Sequence, residues 1–210
     1  NNVTLTWEDP VVKGGEVVLT EDFEAQTLPE DWTIIDADGD GYNWEMANYN
    51  SPEFSGANAS SNFVNSASYI NLVGPQTPDN YLITPELDLT EGGTLTYWVS
   101  AQDASYPDDH YGIFYSTTGN SVEDLVDTPL FEETITAKQV GPKGDRGTNM
   151  MGVWYQRTVE LPVGTKYVAF RHYNCTDAYR INIDDVEITS GGNNGPISEF
   201  TFNIYKDGVL

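Results

Sequence analysis

Residues 94–101, Thr-Leu-Thr-Tyr-Trp-Val-Ser-Ala, decide the fold class. Leu95, Tyr97 and Val99 fall on one side of an extended chain, and Thr96, Trp98 and Ser100 on the other. This period-two alternation marks a strand with one face buried. Working outward, 110–116 (HYGIFYS), 154–161 (WYQRTVEL), 166–172 (KYVAFRH) and 179–184 (YRINID) repeat the pattern. Clusters of turn-forming residues such as Thr118-Gly119-Asn120 and Pro162-Val163-Gly164 separate them. No twelve-residue stretch carries a 3.6-residue period, and 122–126 offers one short helical turn at most. Many short strands without helical interruptions predict an all-β domain: a sandwich, jelly roll or barrel.

The 210-residue chain is 39% hydrophobic and 12% aromatic, enough apolar mass for a packed core. Its 33 Asp and Glu against 9 Lys and Arg give a net charge of −24. That charge argues against nucleic-acid partners, which need basic patches for the phosphates, and against anionic membrane surfaces. No apolar run approaches the roughly 18 residues of a membrane-spanning helix. Cys175 is the single cysteine, so neither an intrachain disulfide nor a multi-cysteine zinc site is expected. The first residues carry no signal-peptide pattern, so the chain reads either as cytosolic or as a piece cut from a longer exported protein. In the exported case calcium is the expected staple for so acidic a chain without disulfides.

The strongest chemical signal is Ile35-Asp36-Ala37-Asp38-Gly39-Asp40-Gly41-Tyr42. Asp36, Asp38, Asp40 and Gly41 match positions 1, 3, 5 and 6 of the EF-hand loop, where alternate carboxylates turn inward onto one hard cation. The match stops there, because position 12 would be Ala47 and the preceding Trp32-Thr33-Ile34-Ile35 reads as strand. An EF-hand-like loop between strands needs further ligands from distant segments. Asp184-Asp185 at the end of an alternating run, Asp22-Phe23-Glu24, and Asp79-Asn80 after Pro78 are the candidates. A second acidic group, Asp103 with Asp108 and Asp109, reads as a solvated loop.

The chain ends differ from the middle. Residues 3–10 (VTLTWEDP) and 194–208 (NGPISEFTFNIYKDG) resemble the second and third strands of a fibronectin type III module. On that reading residues 11–194 form a sandwich domain inserted between 1–10 and 195–210, two strands of a partial fibronectin type III-like sandwich. The alternative is that both ends are outer strands of one domain.

The middle resembles the cleaved adhesin domains of gingipain proteases and their related haemagglutinins. Residues 20–24 (TEDFE), 32–41 (WTIIDADGDG), 77–85 (TPDNYLITP), 109–111 (DHY), 131–134 (FEET), 161–175 (LPVGTKYVAFRHYNC) and 183–188 (IDDVEI) carry the resemblance in order. It implies a β-sandwich jelly roll, processed from a secreted or cell-surface polyprotein of a bacterium and holding calcium, with two ions expected. It also implies haemagglutination and binding to the erythrocyte surface or to host proteins such as haemoglobin, fibrinogen and matrix proteins, with haem a further ligand. Carried over by motif, one calcium site takes the Asp22 carbonyl, Glu24, Asp36, Asp184 and Asp185. The second takes Asp38, Asp40, the Tyr42 carbonyl and Asn80, with Ser60 and Asn62 as carbonyl donors.

Catalysis is not expected. His110 and His172 are the only histidines; His172 alternates with Val168 and Phe170 and reads as a buried strand residue. Cys175, three residues on, makes a Cys-His pair conceivable but without a supporting signature. Glu132-Glu133 is a poor substitute for a glycosidase acid pair. Trp44, Tyr49, Tyr106, Met150, Met151 and Trp154 are candidate contact residues of an adhesin, with core packing as the plain alternative. Lys138, Lys143 and Arg146 read as a solvated basic loop. Asn58-Ala59-Ser60 and Asn174-Cys175-Thr176 match the glycosylation sequon, an idle pattern in a bacterial chain. The competing functional reading is a carbohydrate-binding module of a secreted hydrolase, which shares the fold and the calcium.

Overall fold

The computed structural model describes residues 15–25, 27–48, 55–136 and 151–192. Its strands, in chain order, are β1 (Val17–Glu21), β2 (Thr33–Asp36), β3 (Glu45–Asn48), β4 (Asn62–Ala67), β5 (Tyr69–Ile70), β6 (Gly74–Pro75), β7 (Asn80–Ile83), β8 (Gly93–Ala101), β9 (His110–Ser116), β10 (Phe131–Thr134), β11 (Tyr155–Leu161), β12 (Tyr167–His172) and β13 (Arg180–Ser190). All pairings between these strands are antiparallel. One sheet runs β11-β8-β13-β4-β3, with β1 also on β13; the other runs β10-β9-β12-β7-β2. A two-stranded ribbon, β5-β6, stands apart. The two sheets form a β-sandwich jelly roll, as the strand alternation and the family resemblance predict.

The alternation of β8 becomes the core directly. Leu95, Tyr97 and Val99 are fully buried and join Ile113, Val168, Phe170, Ile181 and Ile183 in one apolar cluster. Burying such side chains stabilises by about 1.5–3 kcal/mol each. One polar chain crosses this core. The Tyr97 and Tyr111 hydroxyls lie 2.8 Å apart, Tyr111 donates to Glu133 at 2.7 Å, and Arg157 grips the same carboxylate at 2.8 and 3.0 Å. The buried hydroxyl of Tyr97 thus reaches, through Tyr111, an ion pair at the rim of the sandwich.

Strand β13 organises the rest. The alternating run of 179–184 ends at Asp184, while the family resemblance matches 183–188 to the last strand, and the strand continues to Ser190. It does so through a bulge between Asp184 and Glu187, with Asp185 in the left-handed region at φ 45°. Arg180–Ile183 pairs with β4, and Val186–Thr189 pairs with β1, while β8 follows the opposite edge throughout. The bulge therefore opens a gap where one neighbouring strand ends and the next begins.

Other expectations are met closely or corrected. The short turn at 122–126 is a single 3-10 turn, Val122–Asp124, held by reciprocal Ser121 and Asp124 bonds at its start. The acidic loop expected to be solvated is so only at Asp108, which is exposed: Asp103 and Asp109 are both fully buried. Asp103 accepts the Ser105 N–H at 2.8 Å, and Asp109 accepts the Ser68 hydroxyl and faces His172. The fibronectin type III-like ends, residues 1–10 and 195–210, lie outside the described residues.

Candidate metal centre

Strand β2 delivers the acidic loop. Asp36, its last residue, stands opposite Asn80, the first residue of β7, and the Ala37 N–H donates to the Asp79 carbonyl at 2.9 Å. The chain then turns sharply, with Gly39 at φ 72° and Gly41 at φ 86°, conformations that cost glycine nothing and a side chain a good deal. One Asp36 oxygen accepts the Gly39 N–H at 2.7 Å and the other the Gly41 N–H at 2.9 Å. Asp40 accepts the N–H of Tyr42 at 2.8 Å. As a result, carboxylate oxygens of Asp36, Asp38 and Asp40 lie within 4.8 Å of one another.

Three carboxylates this close are electrostatically uncomfortable. Partial burial, a hydrogen bond shared with Asp36 and the charges of Asp40 and Asp36 push Asp38 up to about 6. The same shared bond, with the N–H groups of the turn, holds Asp36 below its usual range. Without a cation, one proton between Asp36 and Asp38 relieves the repulsion. Asn80 is buried beside this loop: its amide nitrogen donates to Ser66 at 3.1 Å, while its oxygen has no hydrogen-bond partner among the described residues. A buried amide oxygen left without a donor is costly unless something else satisfies it.

A second cluster fills the gap at the β13 bulge. Asp184, fully buried, accepts the Ala57 N–H at 2.7 Å and the Ser60 hydroxyl at 2.9 Å on one oxygen, and the Asp185 N–H at 2.8 Å on the other. Asn58 donates to Asp185 at 2.6 Å. Glu24 accepts the N–H groups of Ser61 and Asn62 at 2.8 and 2.9 Å, and Asn62 returns a bond to the Glu24 carbonyl at 3.0 Å. Burial lifts Asp184 to about 7 against those hydrogen bonds, and the charge of Asp185 adds to the rise. Gly56 closes the cradle: a Cβ there would sit 2.0 Å from the Ser60 hydroxyl and 2.6 Å from the Asp184 carboxylate. Fully buried Phe23 anchors the Asp22–Glu24 segment, its ring edge-on to Trp32 at 5.5 Å.

The eleven residues assigned from the sequence thus fall into two neighbourhoods. Asp36, assigned from the resemblance to the set of Glu24, Asp184 and Asp185, instead groups with Asp38 and Asp40, with Asn80 across the strand pair and Tyr42 at the exposed end of the turn. Glu24, Asp184 and Asp185 meet through segment 57–62, so Ser60 and Asn62 bond Asp184 and Glu24. Asp22 stays local, accepting the Glu24 N–H at 3.1 Å. All the candidate donors are oxygens, the set that calcium prefers.

The contact candidates are corrected in part. Trp44 is 2% exposed and donates to the Asn80 carbonyl at 3.1 Å, so it belongs to the core beneath the acidic loop. Met151 packs against Phe63, and Trp154 lies half-buried on the same ring, donating to the Ser55 carbonyl. Tyr106 is half-buried. Tyr49, Met150, Lys138, Lys143 and Arg146 fall outside the described residues. His110 bonds Thr134 at 3.0 Å and stands 3.5 Å from Glu132, partners a structural histidine takes. His172 is buried as expected and meets Cys175, the conceivable partner, with the sulfur at 3.2 Å, while Asp109 at 3.1 Å is a neighbour the sequence did not suggest. The only advance hint of this cluster was the short spacing from His172 to Cys175. Exposed hydrophobic side chains include Leu72 and Val73, next to the β5-β6 ribbon, and Val163.

The sequence model of the Cleaved Adhesin Domain family matches residues 16–188. Hemagglutinin A of Porphyromonas gingivalis is 53% identical over 206 residues, covering 97% of this chain and 8% of that protein. Lys-gingipain W83 of the same organism is 52% identical over 97% of this chain and 11% of its own length. The chain therefore spans about a tenth of the curated relatives it matches. The crystal structure of the K3 cleaved adhesin domain of Lys-gingipain from P. gingivalis W83 superposes with a TM-score of 0.75 at 54% identity, covering 84% of this chain and all of that one.

Proposed function

The chain belongs to the cleaved adhesin domain family, and from that premise we propose that it is a calcium-stabilised adhesin module of a secreted or surface polyprotein, with no catalysis of its own. The relatives named above are a haemagglutinin and a gingipain many times longer than this domain. A module of such a chain is suited to binding erythrocytes or host proteins such as haemoglobin and fibrinogen on behalf of its neighbours.

The observation that carries the calcium reading is the convergence of Asp36, Asp38 and Asp40 beside Asn80, whose buried amide oxygen lacks a partner among the described residues. Asp36, Asp38, Asp40, Asn80 and the Tyr42 carbonyl would hold one ion. Glu24, Asp184 and Asp185, with Ser60, Asn62 and the Asp22 carbonyl, would hold the other. Bound calcium would supply the positive charge that these oxygens coordinate and that offsets the repulsion among the carboxylates. The chain itself contributes the rigid frame: β2 and β7 fix the first set, and the β13 bulge fixes the second against β1 and β4. Both sets fasten segments distant in sequence, which makes their role structural. At millimolar calcium and site Kd values of ~10–100 μM, each ion stabilises the fold by roughly 1.4–2.7 kcal/mol.

Against enzymatic function stands the setting of the histidines. His110 bonds Thr134 through one ring nitrogen, with Glu132 3.5 Å from the other, and His172 is fully buried. Binding of the domain to erythrocytes and to immobilised haemoglobin and fibrinogen, in calcium and after chelation, tests the proposal. Saturable binding that weakens as the chelated domain loosens supports it. Turnover of a peptide or glycoside substrate, abolished by Cys175→Ala, would sink the non-catalytic reading.

A further inference from the structure

We propose that Asp109, His172 and Cys175 form a separate site for a borderline transition-metal ion of the Zn2+ type, with one coordination position open toward solvent. The three donors come from different segments: Asp109 immediately before β9, His172 at the end of β12, and Cys175 in the loop beyond it. Nε2 of His172 lies 3.1 Å from Oδ1 of Asp109 and 3.2 Å from Sγ of Cys175, and the sulfur and carboxylate oxygen are 3.9 Å apart. A tetrahedral zinc with bonds of about 2.0–2.3 Å sets its ligands roughly 3.3–3.6 Å from one another. The three edges bracket that range, so an ion fits with shifts of a few tenths of an ångström.

The arrangement is wrong for a proton relay and right for a cation. In a Cys-His-Asp relay the thiol faces one ring nitrogen and the carboxylate orients the other. Here sulfur and carboxylate both crowd Nε2, while Nδ1 is taken by the Ser66 hydroxyl at 2.8 Å. That pattern places three donors around one point and leaves the far nitrogen to an outer partner, as in ligating histidines. Asp109 is likewise held from outside, by the Ser68 hydroxyl. A second observation points the same way. The other Asp109 oxygen, Oδ2, is buried and has no hydrogen-bond partner among the described residues, so the carboxylate retains unused donor capacity.

The donor set separates this site from the calcium clusters. Thiolate, imidazole and carboxylate together suit Zn2+, whereas calcium takes oxygen almost exclusively. Cys175 gives the cluster a side that reaches solvent. Cys175 is half-buried and lines a shallow pocket of about 380 Å³ with Thr77, Pro78, Asn174 and Thr176. A water entering there completes the coordination, the arrangement of zinc sites with an exchangeable position.

Cobalt substitution tests the site on the calcium-loaded domain after other metals are stripped. With one cysteine in the chain, a thiolate-to-Co2+ charge-transfer band in the near ultraviolet can arise only from Cys175. The site predicts that band at one Co2+ per chain, its displacement by one Zn2+, and protection of the thiol from alkylation by Zn2+. Cys175→Ser should abolish the band and weaken zinc binding by more than the roughly 10–100-fold that loss of an outer partner costs, while leaving the melting response to calcium unchanged. Absence of the band in the wild-type domain, or zinc affinity identical in wild type and Cys175→Ser, overturns the proposal. The wild-type spectrum alone decides the matter if the variant does not fold.

Discussion

Replacing Asp184 by asparagine should stabilise the metal-free domain and shrink the stabilisation that calcium confers. Asp184 is fully buried at the β13 bulge, and its carboxyl is pushed up to about 7 from an ordinary value near 3.8. A carboxyl raised in the folded state weakens the metal-free protein as pH rises through that interval, and the full penalty is present above pH 7. About three pH units at 1.36 kcal/mol each make roughly 4 kcal/mol. The substitution removes the buried charge, and the amide oxygen it introduces can still accept from Ala57 and Ser60. Its NH2, however, would confront the Asp185 N–H, now bonded at 2.8 Å. That conflict costs about 1–3 kcal/mol, leaving a net gain of roughly 1–3 kcal/mol for Asp184→Asn in chelator at a pH of about 7.5. In millimolar calcium the variant also loses a ligand and up to roughly 1.4–2.7 kcal/mol of linked binding energy, which offsets that gain and leaves the two proteins within about 2 kcal/mol of each other. At about 2–4 °C per kcal/mol for a domain of this size, calorimetric melts resolve both changes. A variant no more stable than the wild type in chelator, or one whose melting temperature rises with calcium as much as the wild type's, would refute the reasoning.

Other expectations follow from the same geometry. In chelator, the wild-type melting temperature should rise as pH falls from about 7.5 toward 5, because Asp184 and Asp38 (raised to about 6) take up protons in the folded state; calorimetry in millimolar calcium should show that rise largely removed. Gly56→Ala forces a Cβ against Ser60 and Asp184 and should destabilise by about 1–3 kcal/mol in denaturant titration, with weaker calcium binding. Tyr111→Phe strips the Tyr97 hydroxyl of its partner while sparing the Arg157–Glu133 pair, at about 1–2 kcal/mol in urea unfolding. Trp44→Ala should cost about 3–5 kcal/mol as a core truncation, yet folded protein should bind erythrocytes as the wild type does, since its ring is not at the surface.

The strand framework was legible because one-sided burial leaves a period-two record: Leu95, Tyr97 and Val99 stand in the core where their alternation puts them. The turn at Asp36 to Gly41 was legible for a similar reason, since alternate carboxylates and left-handed glycines are local features. What stayed hidden depends on distant partners. The extension of β13 past Asp184 was visible only through the resemblance of 183–188 to the family's last strand, because it rests on a bulge where β4 hands over to β1 and the alternation stops at the adjacent aspartates. Asp109 looked solvated because Ser68 and His172, which bury it, lie 41 and 63 residues away. Trp44 follows a Gly-Tyr-Asn loop and looked like a contact residue, but the Asn80 carbonyl draws its indole inward. The regrouping of Ser60 and Asn62 with Asp184 and Glu24 depends on long-range bonds that no spacing encodes.

The central claim is that the acidity concentrated at Asp36, Asp38, Asp40 and Asp184 serves calcium, and counting the bound ions tests it most directly. Equilibrium dialysis of the chelator-stripped domain against millimolar calcium should leave two ions per chain, with one lost in Asp38→Asn/Asp40→Asn and the other retained. Fewer than one ion per chain in the wild-type domain, with a melting temperature indifferent to chelation, would contradict the account.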